Sequence, residues 1–250
     1  MDTGTGIGLG SGARAAARAA ASMVRRAWQR RHLAVAGLGV VVLGATLTAV
    51  SQAYSRDTMR NMASQRGPSA VGLGLEMDKL IEQLAAADDA RKFEGANAFY
   101  NQRIPYLDDM PNWGVSDYWA SPLETFSKGR GDCEDYAIAK YFTLLAAGMP
   151  ASKLRMVYVK AEMPAGGGRP AESIGHMVLA YYPEPEAEPL VLDNLVDEVL
   201  PASKRPDLKP VYSFNTEGLW QGVGTQTMGD PMARISKWRD VMNRIKADGF

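Results

Sequence analysis

The residues best suited to covalent catalysis in this chain are one cysteine, one histidine and one aspartate. Cys133 is the only cysteine, and the sequence around it predicts the first turn of a helix. Of the two histidines, His32 lies in a basic segment before an apolar run, which leaves His176 as the histidine of the folded part. Asp193 ends the apolar run that follows. In this order the three are a candidate nucleophile, general base and orienting group.

The acids beside Cys133 bear on this chemistry. Amide groups at a helix N-terminus and a nearby imidazolium both favour the thiolate. Asp132, Glu134 and Asp135 oppose it, because three bare carboxylates should raise the pKa of the thiol. A cation with oxygen ligands would neutralise them, and Ca²⁺ suits an exported protein because extracellular sites tolerate weak binding. We therefore predict a calcium site at these three acids.

Each of these residues also has a purely structural interpretation. A lone cysteine is most often a small buried hydrophobic residue. Acids in a first helical turn commonly cap the helix or interact favourably with the helix dipole. Cys133, His176 and Asp193 could also bind zinc, although such a set without a Cys or His pair is a weak zinc signal. What favours catalysis is the combination of a unique cysteine at a helix start with a histidine and an aspartate in hairpin register.

The elements that position these residues can be predicted from the surrounding pattern. The helix after Asp132 is apolar on most of its faces, which indicates burial, and Gly148 and Pro150 end it. The segment 121–124 has the Ser, Pro and Glu of a capping box, so a short helix should begin there. Periodicity also predicts helices at 75–91, 93–102 and from Asp230, and strands at 154–160 and 211–215.

Residues 176–182 and 189–195 are the clearest predicted hairpin, because the Pro- and Glu-rich segment between them can only be an exposed connection. Pairing the last residue of the first strand with the first residue of the second makes His176 and Asp193 diagonal neighbours on one face. Their backbones are then about 7–8 Å apart. A slip of one residue would put them on opposite faces, so the register tests the proposed pair.

The chain divides into four predicted parts. Residues 1–32 are rich in Gly and Ala and then in Arg, and we expect a disordered basic tail. Residues 33–53 combine an apolar run with a small-x-small cleavage pattern, which predicts a signal peptide or, given the length of the run, an uncleaved membrane anchor. Residues 54–74 are predicted to be a linker, and residues 75–250 a single exported domain.

Composition limits the function classes. The 250 residues include 28 basic and 28 acidic side chains, and the globular part has no basic stripe or base-stacking motif, which argues against nucleic acid. A single cysteine excludes an intramolecular disulfide framework.

Four segments resemble the bacterial transglutaminase-like cysteine proteinases. They are Gly-Asp-Cys-Glu-Asp-Tyr-Ala-Ile-Ala-Lys-Tyr-Phe at 131–142, His-Met-Val-Leu-Ala-Tyr at 176–181, Leu-Val-Leu-Asp-Asn at 190–194 and Tyr-Ser-Phe-Asn at 212–215. The resemblance implies an α+β fold with a transglutaminase-like or papain-like cysteine peptidase core. In such a core the nucleophile helix packs on an antiparallel sheet.

The resemblance also implies a function. It implies a calcium-dependent endopeptidase of the periplasm that cuts a large surface adhesin near its N-terminus, beside a pair such as Ala-Ala. Release of the adhesin would disperse a biofilm, and the periplasmic domain of an inner-membrane cyclic di-GMP receptor would sequester the protease.

The resemblance assigns roles by position. Cys133 is the nucleophile, His176 the base and Asp193 the orienting group, while Asp132, Glu134 and Asp135 are calcium ligands. Asp117 is a weaker additional ligand. An oxyanion hole should combine the backbone N–H of the cysteine with a donor from one of three upstream residues: Gln102, Trp113 or Trp119.

Two other functions are compatible with the same residues. The fold could support a transglutaminase, which transfers the acyl group to an amine instead of water. The protein could also be a non-catalytic, calcium-stabilised adaptor that binds only the receptor or the adhesin.

Overall fold

The computed structural model describes residues 54–165 and 170–250. The predicted tail at 1–32 and the predicted signal peptide or anchor at 33–53 lie outside these residues. Among the helices that it does describe, none is both long enough and apolar enough to cross a bilayer.

Helices flank the sheet on both sides in the sequence. The α-helices of the described residues are α1 (Arg56–Arg66), α2 (Pro68–Ala85), α3 (Asp89–Arg103), α4 (Asp109–Trp113), α5 (Pro122–Lys128), α6 (Cys133–Ala146), α7 (Pro231–Arg234) and α8 (Ser236–Ala247). Two single 3₁₀ turns, Ala151–Lys153 and Ala202–Lys204, precede strands or connect them.

One antiparallel sheet lies between these two sets of helices in the sequence. Its strands are β1 (Leu154–Met163), β2 (Glu172–Tyr181), β3 (Leu190–Leu192), β4 (Leu200–Pro201), β5 (Leu208–Phe214), β6 (Leu219–Gln221) and β7 (Thr227–Gly229). They are ordered β4-β3-β2-β1-β5-β6-β7, and each neighbouring pair is antiparallel. The predicted α+β fold with an antiparallel sheet is confirmed.

Helix α6 is the buried helix on which the sheet packs. Every residue from Asp135 to Leu144 is buried, as its apolar sequence predicts. Its main sheet contacts are with β2, and it also contacts β1 and α3. Trp238 of α8 closes the core beside Phe142 and Phe214, at ring-centroid distances of 5.9 and 5.3 Å. This packing fixes the N-terminus of α6 relative to β2.

The start of α5 follows the predicted capping box. The Ser121 hydroxyl accepts a hydrogen bond from the Glu124 backbone N–H, and the Glu124 carboxylate accepts one from the Ser121 backbone N–H. Gly129 ends the helix in the left-handed region, at φ 64°, where glycine has no Cβ to clash. Only three residues then separate Gly129 from Cys133, so this turn directs the chain into α6.

The predicted linker at 54–74 is wrong, because helix α1 and the first part of α2 occupy it. Met59 and Ala70 have no exposed surface and belong to a second apolar cluster between these helices and α5. Gly74 permits the close approach, since a Cβ there would lie 3.3 Å from the Met59 sulfur. Helices α1 and α2 approach so closely here that few large apolar side chains are needed between them, and the sequence of the segment is therefore mostly polar.

Other boundaries differ from prediction by a few residues. The helix predicted at 75–91 begins earlier and ends at Ala85, because Asp88 caps the next helix with a hydrogen bond from the Arg91 backbone N–H. The single helix predicted from Asp230 is two helices, α7 and α8, separated at Ile235 in extended backbone conformation.

Candidate active site

A buried histidine–aspartate pair lies where β2 and β3 meet. Tyr181 pairs with Leu190 and Leu179 with Leu192, which is the predicted hairpin register. His176 and Asp193 therefore share a face, and His176 Nε2 lies 2.8 Å from Asp193 Oδ1. With Nε2 directed at the carboxylate, Nδ1 is the ring nitrogen left for another partner.

The Asp193 carboxylate is held on several sides. Its Oδ1 also accepts a hydrogen bond from the Leu195 backbone N–H at 3.0 Å, and Arg205 Nη2 lies 2.8 Å from its Oδ2. Asn101 of α3 donates to the Asp193 backbone carbonyl at 2.8 Å. Burial alone would raise the pKa of Asp193, but its partners, first among them His176, lower it to about 2. The group is thus an anion at neutral pH.

Cys133 is the first residue of α6, and it lines the same cleft as His176. Helix α6 packs on β2, so its first residue and His176 of β2 line one cleft. The backbone N–H of Met177, which follows the histidine, favours the thiolate and so acts to lower the pKa of Cys133. The cleft has a volume of about 880 Å³ and is open to solvent.

The environment of the thiol opposes its ionisation in the absence of a cation. Burial raises the pKa of Cys133 well above its ordinary value, and the neighbouring carboxylates of Glu134 and Asp132 raise it further. The thiol donates a hydrogen bond to Glu134 at 2.9 Å. The sequence prediction that these acids disfavour the thiolate agrees with this geometry, and burial adds the larger effect.

Asp109, Asp132 and Glu134 form a cluster of carboxylates. One oxygen from each lies within 4.8 Å of the others. Asp109 is buried at the N-terminus of α4, and it accepts a hydrogen bond from the Tyr118 backbone N–H. Sequence reasoning missed Asp109, since it lies 24 residues before Cys133 with no motif to connect the two.

The other predicted calcium ligands lie elsewhere. Asp135 is not one of the three clustered acids, and its Oδ1 accepts a hydrogen bond from the Ala120 backbone N–H at 2.8 Å. Asp117 lines the cleft but pairs with Lys237 of α8. Asp132 occupies the N-cap position of α6, where its side chain makes no capping hydrogen bond within the described residues, so its carboxylate is available to the cluster.

The acidic cluster has the properties of a cation site. One carboxylate oxygen of Asp109 and one of Asp132 are buried without a hydrogen-bond partner among the residues that the structure describes. Burial, followed by repulsion from Glu134 and its neighbours, raises the pKa of Asp132 to about 10. Oxygen ligands only, several of them charged, are what Ca²⁺ prefers. The residues present therefore fit a calcium ion.

The walls of the cleft are mostly aromatic and apolar. Tyr158 and Tyr212 stack at 5.2 Å, and Gly175 lies so close that a Cβ there would come within 2.4 Å of the Tyr158 hydroxyl. Of the three upstream residues predicted as oxyanion donors, Trp119 lines the cleft, whereas Gln102 and Trp113 are not among its lining residues.

The family model described as bacterial transglutaminase-like cysteine proteinase matches residues 76–221, more than half of the chain. No match was found among curated protein sequences.

Three solved structures of Legionella pneumophila LapG are similar to this chain. The first is 38% identical with a TM-score of 0.65, and the match covers 78% of this chain and 99% of that one. An EGTA-treated form is 40% identical with a TM-score of 0.67, over 78% and 100% of the two chains. A calcium-bound form is 40% identical with a TM-score of 0.64, over 76% and 99%. On the family model and these structures together, the chain belongs to the bacterial transglutaminase-like cysteine proteinases.

Proposed function

We propose that this protein is a calcium-dependent cysteine endopeptidase in which Cys133, His176 and Asp193 form the catalytic triad. The observation that carries the proposal is the His176–Asp193 hydrogen bond of 2.8 Å, on a histidine that lines the same cleft as the chain's single thiol. Membership of a cysteine proteinase family supports it.

In the proposed mechanism Nδ1 of His176 accepts the thiol proton while Asp193 holds Nε2–H. The Cys133 thiolate attacks the scissile carbonyl carbon, and the backbone N–H of the cysteine stabilises the oxyanion. The imidazolium then donates its proton to the leaving amine, which gives an acyl-enzyme. Water, deprotonated by the same imidazole, hydrolyses the thioester and regenerates the thiol.

Asp109, Asp132 and Glu134 are the residues that would hold Ca²⁺. When bound, the ion supplies positive charge beside the thiol, which offsets the carboxylates that raise its pKa. These acids also connect the cleft to the 114–121 loop, because Asp109 accepts a hydrogen bond from the Tyr118 backbone N–H. Calcium dependence of the activity is therefore proposed to arise at the N-terminus of α6.

The proposed substrate is the N-terminal region of a large surface adhesin, cut beside a pair of small residues such as Ala-Ala in the periplasm. Its release would promote biofilm dispersal, and the periplasmic domain of an inner-membrane cyclic di-GMP receptor would inhibit the protease by binding it. The open cleft with apolar walls is consistent with an extended peptide, and the family relationship supports the rest.

The central test is cleavage of a recombinant adhesin N-terminal region, with the cut sites identified by mass spectrometry. Wild type should cleave in calcium and stop in EGTA. Cys133→Ala should abolish cleavage while keeping the melting temperature within a few degrees. Processing by a folded Cys133→Ala protein would refute the mechanism.

The same preparation separates the two other functions. Incorporation of a labelled amine into the adhesin, in place of hydrolysis, would identify a transglutaminase. A thiol-alkylating reagent at neutral pH should modify Cys133 rapidly in calcium if it is catalytic. Negligible alkylation together with intact adhesin binding would instead identify an adaptor. Co-purification with the receptor domain, and fractionation of cells, test the proposed partner and location.

A further inference from the structure

We propose that Arg205 is a positioning residue for the triad, a role that rests on the proposed function of Asp193. Its guanidinium holds the Asp193 carboxylate in the orientation at which Oδ1 accepts from His176. Arg205 lies 29 residues beyond His176 in the sequence, on the segment that connects the turn Ala202–Lys204 to β5.

The two oxygens of Asp193 have different partners. Oδ1 is shared by His176 at 2.8 Å and by the Leu195 backbone N–H at 3.0 Å. Within residues 54–165 and 170–250, Oδ2 has no well-aligned hydrogen bond, and its near contact is the ion pair with Arg205 Nη2 at 2.8 Å. A carboxylate held by one oxygen only can rotate about its Cβ–Cγ bond. The guanidinium on Oδ2 opposes that rotation.

Arg205 is itself anchored from the outer side. Its Nε and Nη2 donate to the two oxygens of Asp207 at 3.1 and 2.8 Å, a bidentate geometry that fixes the plane of the guanidinium. The Arg205 side chain is 6% exposed, whereas that of Asp207 is 38% exposed. The buried cation thus joins an outer carboxylate to the inner one, and Asp207 sets where it points.

The charges around Asp193 make this contact consequential. Asp193 is buried; its cationic neighbours are Arg205 and the more distant Lys140, and the Asp207 carboxylate lies beyond Arg205. Of these, Arg205 carries a permanent positive charge. Without it, the buried carboxylate would keep the imidazole and the Leu195 backbone N–H as its near partners, and neither carries a fixed charge. Arg205 therefore supplies a fixed positive charge beside the acid and leaves the imidazole as the base.

The alternative is that Arg205 only stabilises the sheet edge. Arg66 offers a matched control, because it forms an ion pair of 2.6 Å with the fully buried Asp248 and is not a lining residue of the cleft. Breaking either pair should lower stability. If Arg205 acts through Asp193, only its loss should also change turnover.

The test uses the full chain and calcium-supplemented adhesin cleavage, with Arg205→Gln, Arg205→Lys, Asp207→Asn and Arg66→Gln. We expect Arg205→Gln to lower kcat roughly 10- to 100-fold with KM nearly unchanged, a smaller loss than removing a triad member. Arg205→Lys should retain more of the wild-type kcat than Arg205→Gln. Asp207→Asn keeps the charges of Arg205 and Asp193 but weakens the contact that orients the guanidinium, so it should give an intermediate loss of kcat. Arg66→Gln should lower the melting temperature and leave kcat unchanged.

A double-mutant cycle decides whether the effect passes through the aspartate. In an Asp193→Asn background, Arg205→Gln should change kcat less than about twofold, since the group it positions is gone. The same fold loss in both backgrounds, or a folded Arg205→Gln protein with wild-type kcat, would overturn the proposal.

A second readout needs no activity, so it separates this proposal from the triad proposal. In His32→Gln protein the sole histidine is His176, and ¹⁵N NMR reports its tautomer. The Nε2–H tautomer should dominate, and Arg205→Gln should mix the two tautomers while Arg66→Gln does not. An unchanged spectrum in Arg205→Gln would refute positioning, even if the wild type proved to have no peptidase activity.

Discussion

Replacing Asp109 by Asn should have opposite effects on stability with and without calcium. Asn keeps an oxygen that can accept from the Tyr118 backbone N–H, so the change removes mainly a charge. Without a cation, the negative charge of Asp109 repels those of Asp132 and Glu134 and lowers stability. With calcium bound, the Asp109 carboxylate is one of its ligands.

The calcium-free effect can be sized from the geometry. Two full charges 4.8 Å apart repel by about 3.5 kcal/mol at an effective dielectric constant of 20. Protonation already relieves much of this, because the pKa of Asp132 is raised to about 10 and those of Asp109 and Glu134 are raised as well. We therefore expect a gain of about 1 kcal/mol, or roughly 2–4 °C in melting temperature for a domain of this size.

The calcium effect follows from mass action. Calcium at 100 times its Kd adds about 2.7 kcal/mol to the wild type. A site that has lost one of three charged ligands should bind much more weakly, so the variant should gain little at the same concentration. Asp109→Asn should then melt at a higher temperature than the wild type in EGTA. In calcium it should melt at a lower temperature, with an unfolding free energy smaller by roughly 2 kcal/mol.

Differential scanning calorimetry in EGTA and in calcium, at one pH and ionic strength, measures both signs. Asp135→Asn is the matched control, because Asp135 is a buried acid in the first turn of α6, next to Glu134, and its Oδ1 accepts a hydrogen bond from the Ala120 backbone N–H. Its effect should be equal in the two conditions. A variant at Asp109 that melts lower than the wild type by the same amount in both, or a calcium shift lost in Asp135→Asn only, would refute the assignment.

Three further measurements test other parts of the structure. Met59→Ala should cost roughly 2–5 kcal/mol in urea unfolding, because Met59 is fully buried, whereas a linker residue would cost less than about 0.5. The pKa of Asp193 is lowered to about 2, so its contribution of roughly 2 kcal/mol is present above pH 4 and lost as pH falls through 2; Asp193→Asn should flatten acid unfolding in that window. Burial lowers the pKa of Lys140 to about 7, so this residue binds more protons in the unfolded chain between pH 7 and 10.5, and its own contribution to stability should rise there by at most roughly 5 kcal/mol. Because the raised pKa of Asp132 acts in the opposite direction, the rise is measured as the stability difference between wild type and Lys140→Met in thermal melts across this range.

Local pattern was sufficient for the elements that carry the triad. The capping box at Ser121 and the apolar faces of α6 depend on neighbours within one or two helical turns, and both were predictable. The β2–β3 register was predictable as well, since strand side chains alternate and both apolar strands must place the same face on the core. His176 and Asp193 therefore share a face for a reason that is present in the sequence.

Contacts between distant segments were decided by the tertiary structure. The carboxylate of Asp109 lies with those of Asp132 and Glu134, whereas that of Asp135 accepts from the Ala120 backbone N–H. Both contacts arise because α4 and the 114–121 loop pack beside the start of α6. Spacing along one helix shows which acids are neighbours in the chain, but it says nothing about which oxygens a separate loop will approach. The contact of Arg205 with Asp193 could not be predicted from the sequence for the same reason.

What the sequence by itself determined is the set of reactive residues and the local elements that carry them, because hydrogen bonding and periodicity act over a few residues. Which charges surround those residues was decided only by packing, as for Arg205 against Asp193. Burial removes the water that would otherwise screen such charges, so their effect depends on distances that only the folded chain defines.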